Sequence, residues 1–409
     1  MSTNSDGTLD DVSQGWARLA STLVQGGRSK RIPESGEFVN LPVARGSTVL
    51  FPTLEAMAAN GRNSHDHALV YGAMGSPVQH ELEKLLSDIE GGTHTQVVNS
   101  GLSACTTPLL AFLGSGDHLL LPDSVYGPTR RFANTMLARM GIATTYYAPL
   151  ATQDEIRALI RPETKLLFAE SPGSHTFEVQ DIPMLSRTAH EAGALLVLDN
   201  TWGIGVFQPF EHGVDVSVQA LTKYPVGHSD VIIGSITVAD EGLWKKLRDA
   251  AIQLGQCAGP DDCWLTLRGL RTMAVRLAHQ SRSALELAQW LKARPEVSRV
   301  LHPALEDCPG HENWKRDFRG ASGLFGVQLR ADISVAAMER MVDSLKMFGI
   351  GASWGGYESL ILPTTGRINR TAEDAPSEIA AFRLQIGLEA VEDLKADLAN
   401  GLEGLEIAI

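Results

Sequence analysis

Cysteine is scarce, with four residues in 409 at positions 105, 257, 263 and 308, and none stands in the close pairs of a zinc knuckle or a redox dithiol. Histidine offers no metal motif either: His65, His67 and His175 fall in loop-like stretches without a convincing third ligand, so no metal is expected. Basic residues are outnumbered, 35 Lys and Arg against 48 Asp and Glu, for a formal net charge of −13. That balance argues against nucleic acid as a partner, while leaving room for a small charged ligand in a local basic pocket. No apolar run approaches the length needed to cross a bilayer, so no membrane association is expected. The opening MSTNSDGTLDDVSQG lacks the basic flank and apolar stretch of a secretory signal. A reduced, cytoplasmic setting is the expectation.

What is present is a hydrophobic content of 44% over 409 residues, enough for a large core and for more than one domain. The first 75 residues show little periodicity and are broken by Pro33, Pro42 and Pro52 and by several glycines. So long an irregular segment usually binds something or wraps a partner, although residues 1–12 also read as a loose tail. From Ser76-Pro77 a helix is expected, capped by the serine, with Val78, Leu82, Leu85, Leu86 and Ile89 on one face and Gly91-Gly92 at its end. Short apolar strands are then expected at TQVV, HLLLPD, residues 142–147, KLLFAE, ALLVLDN, VSVQA and DVIIGSITVA, alternating with helices. Such a pattern indicates a mostly parallel sheet covered on both faces. A long amphipathic helix is expected over 271–292, followed by strands near 321–330 and 359–362 and a helix plus strand within 372–384. The implied division is an extended segment at 1–75, a large domain at 76–270 and a smaller α+β domain at 271–409.

Ligands of open α/β sheets gather at the carboxyl ends of the strands, and three features fall there. Gly101-Leu102 opens a helix whose backbone N–H groups suit a phosphate. Asp199 closes the strand ALLVLD, and Lys223 follows VSVQA within QALTKYPVGHSD. Taken singly, a glycine turn is a connection, a strand-end Asp a cap and a lone Lys a surface charge. Together they supply a phosphate seat, a carboxylate and an amine, the set that pyridoxal phosphate requires. A lysine amine holds the aldehyde as a Schiff base and later moves the substrate's Cα proton. Thr222 offers phosphate a hydroxyl, and Tyr126 in PDSVYGP offers a ring for stacking. Arg383, in AFRLQIGLE, offers a fork for a substrate carboxylate, with a rim ion pair to Glu389 as the plain alternative.

Longer runs carry a resemblance: YGAMGSPVQHELEKLLSDIEGG, NSGLSACTTPLLAFLGSGDHLLLPDSVYGP, LLFAESPGS, the block from Asp199 to Gly234, and SWGGYESLI. On these motifs the chain resembles the cysteine/methionine-metabolism family of pyridoxal-phosphate enzymes, of the aspartate-aminotransferase-like fold type I. The resemblance runs from about Leu23 to the C-terminal region. It implies a mostly parallel seven-stranded sheet in the large domain. It implies Lys223 as the Schiff-base lysine, Asp199 as partner of the pyridine nitrogen and Tyr126 as the stacking ring. Gly101, Leu102 and Thr222 would serve the phosphate, Arg383 the substrate carboxylate. Tyr71 matches a tyrosine sent into the neighbour's site, which implies a homotetramer of two active-site-sharing dimers.

Within the family the chain resembles the bacterial cystathionine β-lyases, through Ser353-Trp354-Gly355-Gly356-Tyr357-Glu358-Ser359, where γ-acting relatives usually carry a smaller aliphatic residue in place of Trp354. The implied reaction releases homocysteine, pyruvate and ammonia from L-cystathionine. Cysteine desulfhydration, γ-elimination and amino-acid racemisation are the alternatives, and a non-catalytic scaffold is the rival from another class. One departure stands out. The family usually has an arginine two positions after the tyrosine, reaching the neighbour's cofactor phosphate, but here Tyr71-Gly72 is followed by Ala73 and Met74. Loss of that charge-assisted contact costs about 1–3 kcal/mol of cofactor binding unless it is replaced. Arg45 and Arg62 are available in the same region.

Overall fold

In a computed structural model of the chain, the described residues are 11–27, 34–36, 38–372 and 379–405. The short apolar runs form β1 (His94–Val98), β2 (His118–Pro122), β3 (Ala143–Tyr147), β4 (Thr164–Glu170), β5 (Leu195–Asp199), β6 (Val216–Gln219) and β7 (Gly234–Val238). They lie in one seven-stranded sheet of order β1-β7-β6-β5-β4-β2-β3. Among these seven strands β7 runs opposite in direction to the other six, so its pairs with β1 and β6 are antiparallel and the rest are parallel. Both faces are covered, which is why the strands read as continuous apolar runs. Along β5, Leu196 and Leu198 pack into one core layer and Val197 into the other.

The Pro77–Glu90 helix starts and stops as its sequence signals require. The Ser76 hydroxyl accepts the Gln79 N–H, Pro77 fills the first turn, and Gly91 ends the helix at a positive φ of 78°. Its apolar face, from Val78 to Ile89, is buried in the core.

A second sheet contains β8 (Val297–Leu301), β9 (Leu324–Leu329), β10 (Gly349–Ile350), β11 (Leu360–Pro363) and β12 (Ala381–Gln385), in the order β10-β11-β12-β9-β8. The long helix joining the two sheets spans Pro260–Lys292, not 271–292. Its true start carries Pro260 at the first position and Asp261 and Asp262 in the first turn, so the start signals were present upstream of the amphipathic stripe. The helix is unbroken across residue 270.

The expectation of an irregular N-terminus needs correction. Residues Asp11–Gln25 form a helix that lies on the Pro260–Lys292 helix of the same chain. Trp16 and Leu23 are fully buried, and the Trp16 indole N–H donates to the Ala321 carbonyl at 3.2 Å. Three large apolar residues, Trp16, Leu19 and Leu23, were a thin stripe to read from sequence, yet packing them, two fully and Leu19 partly buried, is what drives the helix. A second helix spans Leu54–Arg62, capped by Thr53. Most of the tail expected over 1–12, and most of the helix expected within 372–384, falls outside the described residues; 381–385 is the strand β12.

Candidate active site

Parallel strands end in one row, and the row carries the chemistry. Glu170 closes β4 and lies in register with Asp199, which closes β5. β6 ends at Gln219, and Lys223 follows in the next turn. The Gly101–Phe112 helix begins after β1, and the loop after β2 leads to Tyr126.

Asp199 is buried and held from two sides. The Thr201 backbone N–H and hydroxyl donate to Oδ1 at 3.0 and 2.5 Å, and the Cys105 thiol donates to Oδ2 at 3.5 Å. Burial pushes the Asp199 carboxyl above its ordinary value, against the pull of Thr201, Cys105 and Lys223. Glu170 is pushed well up, by burial first and then by the Asp199 charge. Its oxygens accept the Tyr126 backbone N–H at 2.6 Å and the Ser174 hydroxyl at 2.5 Å. Two buried carboxyls side by side do not both ionise readily, and Glu170 is the one pushed further toward its acid form.

The Lys223 amine donates to the Ser353 hydroxyl at 2.8 Å and stands 5.2 Å from the centre of the Trp354 ring. The Trp354 ring in turn meets Tyr224 edge-on at 5.3 Å. Burial, then the Arg383 charge, push the Lys223 amine down to about 8, and Asp199 opposes them. A sizeable neutral fraction therefore exists near neutral pH, as a nucleophilic amine needs.

Arg383 lies on β12 and is buried. One of its nitrogens, Nη2, donates to the carbonyls of Ala352 and Ser353, both at 3.0 Å. Its Nε and Nη1 have no protein partner among the described residues, which leaves two donors for a carboxylate. The alternative ion pair with Glu389 does not form. Glu389 accepts instead from the backbone N–H and hydroxyl of Ser359, both at 2.8 Å. Tyr126 begins the Gly127–Phe132 helix with its side chain partly exposed, and its phenol feels the charges of Asp199, Glu170 and Arg383.

At the start of the Gly101–Phe112 helix the N–H groups of Gly101 and Leu102 have no acceptor within the helix, and Ser100 caps Ser103 at 3.1 Å. A Cβ on Gly101 would stand 2.5 Å from the Ala220 Cβ, so only glycine lets the helix start approach the turn that leads to Lys223. The Thr222 hydroxyl is engaged with Ile233, donating to its carbonyl at 3.1 Å and accepting its N–H at 3.0 Å. Tyr71 forms an isolated bridge with Thr48, with its side chain half exposed, and takes no part in the contacts around Lys223 of its own chain. Of the two arginines near the Ala73 departure, Arg45 is paired with Asp261 at 2.5 Å. No ion pair of Arg62 is seen among the described residues. Among the described residues there is no metal-holding group of His, Cys, Asp or Glu.

Cys105, Glu170, Thr201 and Gly355 escaped the sequence reading as site residues. Cys105, Glu170 and Gly355 are set against Asp199 or Lys223 by the fold, while Thr201 stands two residues from Asp199 within the block that carries the resemblance, and Glu170 left a signal as the polar end of the strand KLLFAE. These groups fit pyridoxal phosphate. A partly neutral lysine amine suits the aldehyde, an Asp199 oxygen that meets only a thiol suits a pyridinium N–H, and free helix-start amides suit the phosphate.

Comparison with known proteins agrees. The chain is 42% identical over 393 residues to the cystathionine beta-lyase of Bordetella avium, covering 95% of this chain and 98% of that one. It is 39% identical to the L-alanine/L-glutamate racemase of Wolbachia pipientis, over 94% of this chain and 97% of the other. The solved cystathionine gamma synthase of Xanthomonas oryzae pv. oryzae, in complex with aminoacrylate and cysteine, superposes with a TM-score of 0.86 at 29% identity, covering 94% and 98% of the two chains. The fold is therefore that of the type I pyridoxal-phosphate enzymes, and residues 20–403 match one family throughout: the chain belongs to the Cys/Met metabolism PLP-dependent enzymes.

Proposed function

We propose that the protein is a carbon–sulfur β-lyase that converts L-cystathionine and water to homocysteine, pyruvate and ammonia. The observation that carries this reading is the Lys223 amine, 2.8 Å from Ser353, beside Trp354 and within reach of the charges of Asp199 and Arg383. Bound pyridoxal phosphate supplies a ring that accepts the electron pair released at the substrate Cα. Arg383 grips the α-carboxylate through Nε and Nη1 and so fixes the Cα–H bond toward Lys223. Lys223 takes the Cα proton and returns one to the thiolate leaving Cβ. Asp199 keeps a negative charge opposite that amine, with Thr201 and Cys105 orienting its oxygens. Tyr126 covers the reacting plane, Trp354 narrows the pocket beside Lys223, and Gly101 and Leu102 hold the phosphate, with Thr222 at its edge.

The quaternary reading is a cytoplasmic homotetramer of two site-sharing dimers, acting in methionine biosynthesis. The described N-terminal arm supports it: Phe38, Leu50 and Leu54 are 93%, 90% and 85% exposed, and Tyr71 stands beyond them. The division at 1–75, 76–270 and 271–409 belongs to the same proposal, with the first segment in part reaching the neighbour. With Ala73 in place of the usual arginine, the phosphate is held by altered contacts.

Purified, cofactor-loaded protein incubated with L-cystathionine tests the reading. Pyruvate with homocysteine supports it, whereas 2-oxobutyrate with cysteine moves it to a γ-lyase. The racemase similarity favours a second reading, since racemisation uses the same Cα proton transfer without a leaving group. Appearance of D-amino acid with no keto acid would establish that reading. An intact fold that forms no visible Schiff-base absorbance on reconstitution would leave only a non-catalytic scaffold.

A further inference from the structure

Arg383 has neighbours that no step above uses. On β12 it pairs with Leu362 of β11 on one side and Gly326 of β9 on the other. Past the end of β11 the chain stays beside β12, with Thr364 N–H donating to the Ala381 carbonyl at 2.8 Å and the Thr365 hydroxyl to that of Ile379 at 2.9 Å. It then turns at Gly366, φ +73°, and the Arg367 N–H closes the turn on the Thr364 carbonyl at 3.0 Å. Arg367 is exposed, and no ion pair of it is seen among the described residues. From the β9 side comes the loop of His175. A Cβ on Gly326 would stand 3.4 Å from the His175 carbonyl and 3.2 Å from the Phe177 ring, so the loop lies directly over the strand position facing Arg383. The His175 Nδ1 is buried with no partner among the described residues.

Both segments are tied in place. Arg370 pairs with Glu178 of the His175 loop, and the Asp123 carboxylate accepts the N–H groups of Thr371 and Ala372, each at 2.7 Å. The same ties engage the nearby acids among the described residues. Glu178 answers Arg370, Asp123 answers Arg130 at 2.9 Å, and Glu170 is engaged with Ser174 and Tyr126. The His175 imidazole is pushed down to about 4 by burial first and then by Arg383 and Arg367, so at neutral pH it adds no charge of its own. Arg367 thus stands near enough to Arg383 for the two charges to oppose each other, and among the described residues no carboxylate is seen paired with either. A single substrate α-carboxylate neutralises one.

We propose that Arg367, with His175 at its back, is a second carboxylate-binding position beside Arg383, selecting amino acids that carry a second acidic group. The proposal rests on Arg383 as the α-carboxylate anchor, and not on which bond of the substrate breaks. Like charges held near one another gain most from a ligand that brings two charges of the opposite sign.

The test titrates the visible spectrum of the cofactor-loaded protein with L-glutamate and with L-norvaline, which match in length and differ in the distal carboxylate. Neither has a leaving group at Cβ, so binding is read without elimination. The expected result is tighter binding of glutamate by about tenfold, the factor equivalent to 1.4 kcal/mol, with R367Q abolishing the preference while leaving norvaline binding unchanged. R367K, which keeps the charge and loses the fork, should retain part of the preference. Equal affinities in the unsubstituted protein, or equal weakening of both ligands by R367Q, would overturn the proposal. No spectral response to either amino acid would overturn it through its Arg383 premise. Failure to produce pyruvate from cystathionine, with the glutamate preference intact, would sink the lyase reading and leave this one standing.

Discussion

Gly355 lies so close to Lys223 that a Cβ on the glycine would stand 2.9 Å from the lysine Cα and 2.8 Å from its carbonyl carbon. The glycine has φ +89°, and its approach sets the loop bearing Ser353 and Trp354 against the lysine side chain. Contact of backbone on backbone leaves no flexible atom to yield.

Gly355→Ala should therefore damage both stability and the site. The left-handed backbone alone costs roughly 1–3 kcal/mol. Displacing the loop shifts Ser353 and Trp354 from the amine, for which a fall in kcat of about 10²-fold is expected. Thermal unfolding and steady-state kinetics measure the two effects, and a variant with full activity would contradict the close approach.

The Lys223 amine gives a pH prediction for cofactor capture. Only the neutral amine attacks the aldehyde, and burial together with Arg383 brings its titration down to about 8. The rate at which cofactor-free protein takes up pyridoxal phosphate should rise through that pH and level above it. Arg383→Gln removes a charge that lowers the lysine, so its profile should shift toward higher pH. Stopped-flow absorbance over a pH series checks both, and a profile unmoved by Arg383→Gln would rule out the coupling.

Glu90 supplies a stability prediction away from the reacting atoms. Its buried carboxylate accepts from Ser217 at 2.5 Å, Gln219 at 2.8 Å and Asn200 at 3.3 Å, yet burial still pushes it up to about 7. The unfolded chain releases this proton near the ordinary value of 4.5, whereas the folded chain keeps it until about 7. Stability contributed by the protonated group is complete below the lower value and is lost as pH rises through the upper one, a fall on the order of 3 kcal/mol. Glu90→Gln should flatten that part of the curve. Urea midpoints of the cofactor-saturated protein across this range are the measurement, and an unchanged slope would exclude Glu90 as its source.

Much of the site was legible before any coordinates. Asp199 closes one short apolar strand and Lys223 follows another, and a parallel sheet brings such strand ends into one row. Gly101 announced a tight helix start in the same way. The Asp11–Gln25 helix was harder, because two buried apolar side chains and the partly buried Leu19 hold it against a helix some 250 residues away, and local propensity says little about such a partner. Thr222 was read as a phosphate donor from its place beside Lys223, while its hydroxyl is taken by Ile233, a partner eleven residues on that only the turn brings near.

Sequence by itself determined the elements whose signal is local: the alternating strands and helices, the caps at Ser76 and Gly91, the order of Asp199 before Lys223, and the family to which these motifs belong. Tertiary structure alone decided which groups meet. Cys105 reaches Asp199 across 94 positions, Ser353 reaches Lys223 across 130, and Leu362 stands opposite Arg383 only because β11 and β12 pair in one register. The physical reason is range. Propensity and periodicity act within a few residues, whereas the charge felt by a buried amine or carboxyl depends on whatever the folded chain packs around it.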